Sequence, residues 1–344
     1  NMATRNPVAT LNNTDEQSKA RSFIGNADID YKLHFFPDMR VHLNLGMDDS
    51  YGKQTLMIPT SAAGNYPYGR TGWDETYKSN KMLTAYAQYT KEFGNHNLDV
   101  MGGYEWQHFY RKGESEYRGL IKTDTNTDNV VDDTDDYFNH IYPDKTRWAT
   151  EYYMISLFGR LNYSYLNRYL FTATFRNDNT SRFSKRNGLR AAYFPSFAFA
   201  WKMSEESFIK SIDAVSEMKI RLGYGSTGQQ EVPGGDYPYI PVYTQSVNGA
   251  YYQFGDQYVF TSRPEAYNSS IKWEETQTYN AGYDLGLWNN RLTASVDYYH
   301  RLTTDLINVV YVPAGTNFSN KVVSNVGSLT NDGLEFMEQE GSGL

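Results

Sequence analysis

The sequence predicts an all-β fold, a stretch of transmembrane antiparallel up-and-down β-barrel with long extracellular loops. Three observations predict it. Apolar and polar residues alternate along segments of about 9 to 12 residues, against the 5 to 6 usual in globular strands; this is the length a tilted strand needs to cross hydrocarbon. The segments come in pairs with short turns inside each pair and long polar connections between pairs, as periplasmic turns and extracellular loops do. Each segment also keeps its charges on one parity, as it must where an Arg or Lys facing lipid at mid-membrane costs about 2 to 4 kcal/mol.

The first pair is FIGNADIDYKL (23 to 33) and RVHLNLGMD (40 to 48), joined by HFFPDM. Asp28, Asp30 and Lys32 oppose Ala27, Ile29, Tyr31 and Leu33, and Arg40 and His42 oppose Val41, Leu43 and Leu45. MLTAYAQYTK (82 to 91) and NLDVMGGYEWQ (97 to 107) form the second around EFGNH, with Asp99 and Glu105 opposite Leu98, Val100, Tyr104 and Trp106. The third, residues 157 to 178, turns at LNR: Leu157, Leu161, Tyr163, Phe171 and Phe175 lie on one side, and Arg160, Asn162, Thr174, Arg176 and Asp178 on the other.

In the fourth pair, FPSFAFAWK (194 to 202) and EMKIRLGYG (217 to 225) flank MSEESFIKSIDAVS, which reads as a helical turn with Phe208, Ile209, Ile212 and Val215 on one side. Lys219 and Arg221 oppose Met218, Ile220, Leu222 and Tyr224. The fifth, TYNAGYDLGL (278 to 287) and RLTASVDYYHR (291 to 301), turns at WNN, where Asn tolerates positive φ, with Asp297 and Arg301 opposite Leu292, Ala294, Val296 and Tyr298. The connections between pairs are expected at roughly 49 to 81, 108 to 150, 178 to 193, 226 to 274 and from about 303 onward.

Composition agrees. Of 344 residues, 16% are aromatic, yet mean hydropathy is −0.67 and no run approaches 18 apolar residues, which excludes a helical membrane protein. Tyr163, Tyr165 and Tyr169 gather at one turn, Tyr31, Phe35 and Phe36 at another and Trp288 at a third, as interfacial girdles do. A net charge of −8 with no basic stripe argues against a nucleic-acid partner. The absence of Cys removes thiolate metal sites, disulfides and Cys nucleophiles together.

Catalytic signals are poor. Glu205 and Glu206, like Glu274 and Glu275, are sequence neighbours, and adjacent carboxylates on a strand would point to opposite faces, unlike a glycosidase pair. The six His have no metal-ligand spacing, and GYGSTG lacks the strand-elbow-helix context of a hydrolase. No enzyme is expected.

Two loops carry candidate binding chemistry. In DTNTDNVVDDTD, Asp124, Asn126, Asp128, Asp132 and Asp135 fill positions 1, 3, 5, 9 and 12 of a calcium loop, with Val131 at the apolar position 8. Asn129 stands where Gly normally makes the bend and Asp135 where a bidentate Glu belongs, so a solvated acidic loop is the competing reading. The stretch 234 to 260 is crowded with Tyr. Tyr237, Tyr239, Tyr243, Tyr251 and Tyr252 have the side chain that stacks on sugars and anchors interfaces, so contact with a substrate or a covering partner is one reading and packing on neighbours the other.

Several ordered motifs carry a family resemblance. FRNDNTSRFSKRNG, then YFPSFAFAWKMSEESF, then MKIRLGYGSTGQQ resemble the SusC/RagA family, the TonB-dependent outer-membrane transporters of the Bacteroidetes. Arg176, Asp178, Ser181, Arg182 and Phe183, then Phe194, Pro195, Ser196 and Trp201, then Lys219, Arg221, Tyr224, Gly225, Thr227, Gly228 and Gln230 fill the pattern; Gln229 replaces its usual Asn. Trp273, Glu274 and Thr276 look like the family's Trp-Glu-x-Thr strand, and Asn325, Gly327, Asn331, Gly333 and Glu335 match the strand beyond the next hairpin. With NPVATL and the first hairpin, the resemblance extends over nearly the whole chain.

It implies a plugged barrel of about 22 strands, of which residues 1–344 supply roughly ten to twelve as part of one barrel domain, the N-terminal plug and the C-terminal closing strands not being in this chain. It further implies a setting in outer-membrane lipid, energised import through TonB by way of the missing plug, a SusD-like surface lipoprotein as lid, and an oligosaccharide or peptide as substrate. On the residues alone, a passive porin and a secreted β-rich glycan-binding protein stay open.

Overall fold

The structure is a computed structural model and describes residues 7–59, 69–119, 144–245, 251–313, 315 and 319–340. After a helical Pro7–Asn12 come β1 Asp15–Lys32, β2 Met39–Ile58, β3 Arg70–Phe93, β4 His96–Arg118, β5 Asp144–Tyr165, β6 Tyr169–Thr180, β7 Ala191–Lys202 and β8 Val215–Gln229. Four short loop strands follow, β9 Tyr243–Gln245, β10 Tyr251–Phe254, β11 Gln257–Phe260 and β12 Ser262–Pro264. Then come β13 Glu274–Leu287, β14 Leu292–Thr304, a loop hairpin of β15 Ile307–Tyr311 and β16 Lys321–Asn325, and β17 Ser328–Glu340.

Eleven of these strands form one antiparallel sheet in the order β1-β2-β3-β4-β5-β6-β7-β8-β13-β14-β17, so every strand lies beside its predecessor in that series. The sheet is open, with β1 and β17 as its edges among the described residues. The five expected hairpins are all present, and their turns follow local chemistry. Phe93 pairs with His96 across Gly94 and Asn95, with Gly94 at φ 60. Leu166 and Asn167 take φ 55 and 54 in the LNR turn, and Trp288, Asn289 and Asn290 take 52, 57 and 58 in the WNN turn.

The strands lean. One row of directly paired residues runs Met39, Tyr89, Val100, Leu161, Ala173, Phe197, Tyr224, Tyr279, His300. It leaves β2 at the first residue after a turn and reaches β14 eight residues beyond its own turn-end residue, Leu292. Eight steps of about 4.8 Å across and eight residues of about 3.4 Å along give a tilt of roughly 35°, the inclination of a membrane barrel.

The sequence placed the hairpins but shortened them. β1 to β5 run 18, 20, 24, 23 and 22 residues, so the connection expected from 49 to 81 is largely strand, and of that expected from 108 to 150 both ends, 108 to 118 and 144 to 150, are strand. Past the apolar band both faces carry polar side chains, as in DDSYGKQ (48 to 54), so the hydropathy signal vanishes while the backbone ladder continues. The helical turn after β7 also differs. Its helix is only Ser207–Lys210, Ile209 is buried, and Phe208 and Ile212 are exposed at the turn end of the sheet, where an interfacial apolar side chain finds lipid.

Candidate functional site

The two faces of the sheet differ as the parity rule requires. One exposes Ile29, Val41, Leu45, Val100, Tyr104, Leu157, Phe171, Phe175, Leu222 and Phe336. On β4 this face is apolar from Leu98 to Trp106, and on β5 from Ile155 to Tyr163. Each span is nine residues, enough to cross hydrocarbon on a tilted strand.

Aromatic rings bound the band at both levels. At the turn level Phe93 stacks on His96 at 5.1 Å, and Tyr169 stacks between Tyr165 at 6.3 Å and Trp201 at 6.2 Å. There the Glu206 carboxylate accepts from the Tyr169 hydroxyl at 2.6 Å, Trp201 Nε1 at 3.1 Å and Arg168 Nη1 at 2.6 Å. The Tyr169 hydroxyl, with the Trp201 and Arg168 donors behind it, holds the Glu206 carboxyl below the usual carboxylate range. At the loop level His108 stacks on Tyr153 at 4.4 Å, with Trp106 6.2 Å from Tyr153.

The opposite face is polar and internally paired. Arg221 donates through Nε and Nη2 to Asp284 at 2.9 and 2.7 Å and through Nη1 and Nη2 to Asp297 at 2.9 and 2.8 Å. Arg176 reaches Asp178 at 2.7 Å, Glu105 at 2.7 Å and the Ser156 hydroxyl at 2.8 Å, tying β4, β5 and β6 together. Asp99 accepts from Gln88, Thr90 and Asn162. Closely spaced rings and glycines complete this surface. His42 stacks on Tyr86 at 4.4 Å, and Phe158 lies over Gly103, where a Cβ would come within 2.7 Å of the ring. A wall with hydrogen-bonding groups inward and hydrocarbon-facing groups outward suits a polar solute's path across a bilayer.

The connections at the loop end fold onto this polar face. Phe183, Val232, Ile271 and Trp273 form a buried apolar cluster that packs against Met154, Ala192 and Phe194. Ala192 and Phe194 pair with Asp178 and Arg176, so the cluster sits on the inner side, and Ile307 and Val323 of the β15–β16 hairpin reach it as well. Beside it Arg182, 2% exposed, donates from Nε to Asp236 at 2.7 Å and from Nη1 to the Gln230 carbonyl at 3.1 Å, and lies over the Tyr152 ring at 4.1 Å. Asp236 also accepts from the Thr150 hydroxyl at 2.8 Å and Arg111 at 3.4 Å. The motif that contains Arg182 and Phe183 therefore builds the inner core of the loop end. The sequence signalled this motif and, separately, Trp273, but neither Asp236 nor the contacts that bring the three together.

The five tyrosines separate into two groups. The Tyr237 hydroxyl donates to the Glu151 carbonyl and lies 3.3 Å from the Ser181 hydroxyl; Tyr239 donates to the Ser181 carbonyl at 3.5 Å, and the two rings meet edge to face. Tyr243, Tyr251 and Tyr252 are exposed, the last two on the β10–β11 hairpin beside exposed Phe254, Tyr258 and Phe260. Asp124, Asn126, Asp128, Asp132 and Asp135 lie outside the described residues. Among the described residues no group of three or more His, Asp or Glu is arranged to hold a metal ion.

Comparison with known proteins places this geometry. Residues 3–343 match the family described as TonB dependent receptor-like, beta-barrel. The chain is 44% identical over 332 residues to the TonB-dependent receptor SusC of Bacteroides thetaiotaomicron, covering 96% of this chain and 32% of that protein. It is 30% identical to the TonB-dependent receptor P3 of Formosa agariphila, with 96% and 32% covered. Among solved structures, the RagAB peptide transporter superposes with a TM-score of 0.79 at 22% identity, over 96% of this chain and 35% of that one, which speaks to fold. The chain thus spans about a third of the length of the relatives it matches.

Proposed function

Because the chain belongs to the TonB-dependent receptor β-barrel family and to its SusC-like branch in the outer membrane, we propose that it forms a large part of the barrel wall of an importer for oligosaccharides or peptides. The observation that carries this reading is the polar inner face, with Arg221, Asp284, Asp297, Arg176 and Glu105 turned away from lipid, along a sequence 44% identical to SusC over 96% of its length. No catalytic step belongs to it. A plug in the same full-length protein would couple it to TonB, and a SusD-like surface lipoprotein would close over the loop end.

In this reading Tyr243, Tyr251 and Tyr252 are the loop tyrosines placed to touch lid or substrate, because their rings are exposed. Tyr237 and Tyr239 act from behind, holding the base of the same loop through Glu151 and Ser181. The acidic run Asp124, Asn126, Asp128, Asp132 and Asp135 is proposed as a calcium loop on spacing alone.

The test is uptake of labelled oligosaccharides and peptides by cells that make the full-length protein, with and without TonB and with and without the neighbouring lipoprotein gene product. Import that stops when TonB is removed supports the reading. Uptake indifferent to TonB would make the protein a passive pore.

A further inference from the structure

The lipid-facing side of the sheet continues well above its apolar band. The last apolar row of paired residues is Ala27, Leu45, Leu83, Trp106 and Ile155. One row higher on the same face stands Lys81, between Met47 and His108. Two rows above that are Arg21, Tyr51, Tyr77 and Lys112, and in the next row Lys19 and Lys53 sit side by side. The roughly 35° tilt lowers β1 relative to β3, which brings Arg21 to within about 6 Å of the height of Lys81.

Four of these cations, Lys19, Arg21, Lys81 and Lys112, are exposed and make no ion pair among the described residues. The carboxylates nearby are engaged: Glu75 by Lys53, Glu114 by Arg147, Glu151 by His108, and Asp49 by the Tyr77 hydroxyl. Lys112 lies over the Tyr77 ring at 5.6 Å. On a chain with net charge −8, this band is locally positive. It is interleaved with Tyr51, Tyr77 and Tyr110 and begins where the hydrocarbon-facing surface ends.

We propose that this belt on the outer face of β1 to β4 docks a phosphorylated lipid of the outer leaflet, its acyl chains along the apolar rows and its phosphates between Lys81, Arg21, Lys19 and Lys112. Continuity with the lipid-facing band decides the occupant: a ligand resting against Leu83 and Trp106 and reaching Lys81 must itself be apolar below and anionic above. Long basic side chains reach along the barrel wall to such phosphates, and each basic residue near an anionic surface adds to the attraction. The inference rests on the outer-membrane setting and not on import.

The experiment uses the full-length protein, stripped of lipid in detergent, titrated with phosphorylated lipid A and with its dephosphorylated counterpart. The comparison is Lys19→Gln/Arg21→Gln/Lys81→Gln/Lys112→Gln, checked for a folded barrel by its altered gel migration on boiling. The wild type should bind the phosphorylated lipid at least tenfold more tightly than the dephosphorylated one, and the fourfold variant should lose most of that preference. Equal affinity for the two lipids, an unchanged preference in the variant, or displacement of lipid by inorganic phosphate would each overturn the proposal. If the fourfold variant does not fold, Lys81→Gln/Arg21→Gln makes the same comparison. Binding is read without transport, so a failure here leaves import standing, and a failure of import leaves this result standing.

Discussion

Arg182 and Asp236, 54 residues apart in sequence, meet at 2.7 Å with both side chains almost wholly buried. The pair fastens the loop after β8 to the inner side of β4 and β5, because Asp236 also takes the Thr150 hydroxyl. Removing one partner of a buried pair leaves the other charge uncompensated and costs about 3 to 5 kcal/mol. Asp236→Ala should fall at the low end, since Glu231 stays 3.0 Å from Arg182. Proteolysis of the loop in the folded barrel reads this directly: cleavage between residues 230 and 242 should speed up sharply, and Arg182→Met/Asp236→Leu should restore much of the protection. Unchanged cleavage in Asp236→Ala would show that the pair does not hold the loop.

Leu157 and Thr55 lie on the same face of the sheet at different heights. Leu157→Arg places a charge in the hydrocarbon band and should cost about 2 to 4 kcal/mol of folding into bilayers. Thr55→Arg, far above the band, should stay within about 0.5 kcal/mol. Denaturant titration of both in the same lipid compares them, and equal losses would remove the band from where it is placed here.

Gly103 faces inward and Gly159 outward on neighbouring strands. A Cβ at Gly103 would come within 2.4 Å of Tyr86 Cβ and 2.6 Å of the Ala85 carbonyl, whereas at Gly159 the nearest atom is 3.6 Å away. Gly103→Ala should therefore destabilise the barrel by about 1 to 3 kcal/mol through overpacking, with Gly159→Ala close to neutral, as measured by unfolding midpoints.

Glu206 gives a pH dependence with a defined sign. The Tyr169 hydroxyl, with Trp201 and Arg168, lowers its folded pKa. The carboxylate thus contributes stability above its ordinary value of 4.5, and the contribution disappears as pH falls through the lower folded value. Glu206→Gln should be less stable than wild type at neutral pH, and the gap should close in acid. A gap that is constant with pH would mean that the ionised carboxylate does not supply it.

Much of the architecture was legible because a membrane enforces it locally. Parity of charge, the LNR and WNN turns and the alternation of short and long connections depend on residues within one hairpin, and all five hairpins follow from them. Strand ends were not legible: above the lipid no face must be apolar, so Asp49 to Gln54 read as loop while pairing with β1 and β3. The inner core was hidden for another reason. Phe183 and Trp273 meet edge to face across 90 positions of sequence, and no periodicity reports a contact at that range. The tyrosine-rich loop showed its composition but not its division, in which Tyr237 and Tyr239 turn inward and Tyr251 and Tyr252 outward.

The chain contains no Cys, so a label at one introduced thiol reports that position alone. The most direct measurement places spin labels at Leu157→Cys, Arg160→Cys and Lys53→Cys in the full-length protein in outer membranes, with any other thiols of that protein replaced, and compares relaxation by oxygen and by a water-soluble nickel chelate. A barrel set in the membrane as described predicts that the label at 157 is reached by oxygen and shielded from nickel, that the label at 160 loses this lipid signature, and that the label at 53 is open to nickel from outside intact cells. Nickel access at 157 equal to that at 53 would contradict it.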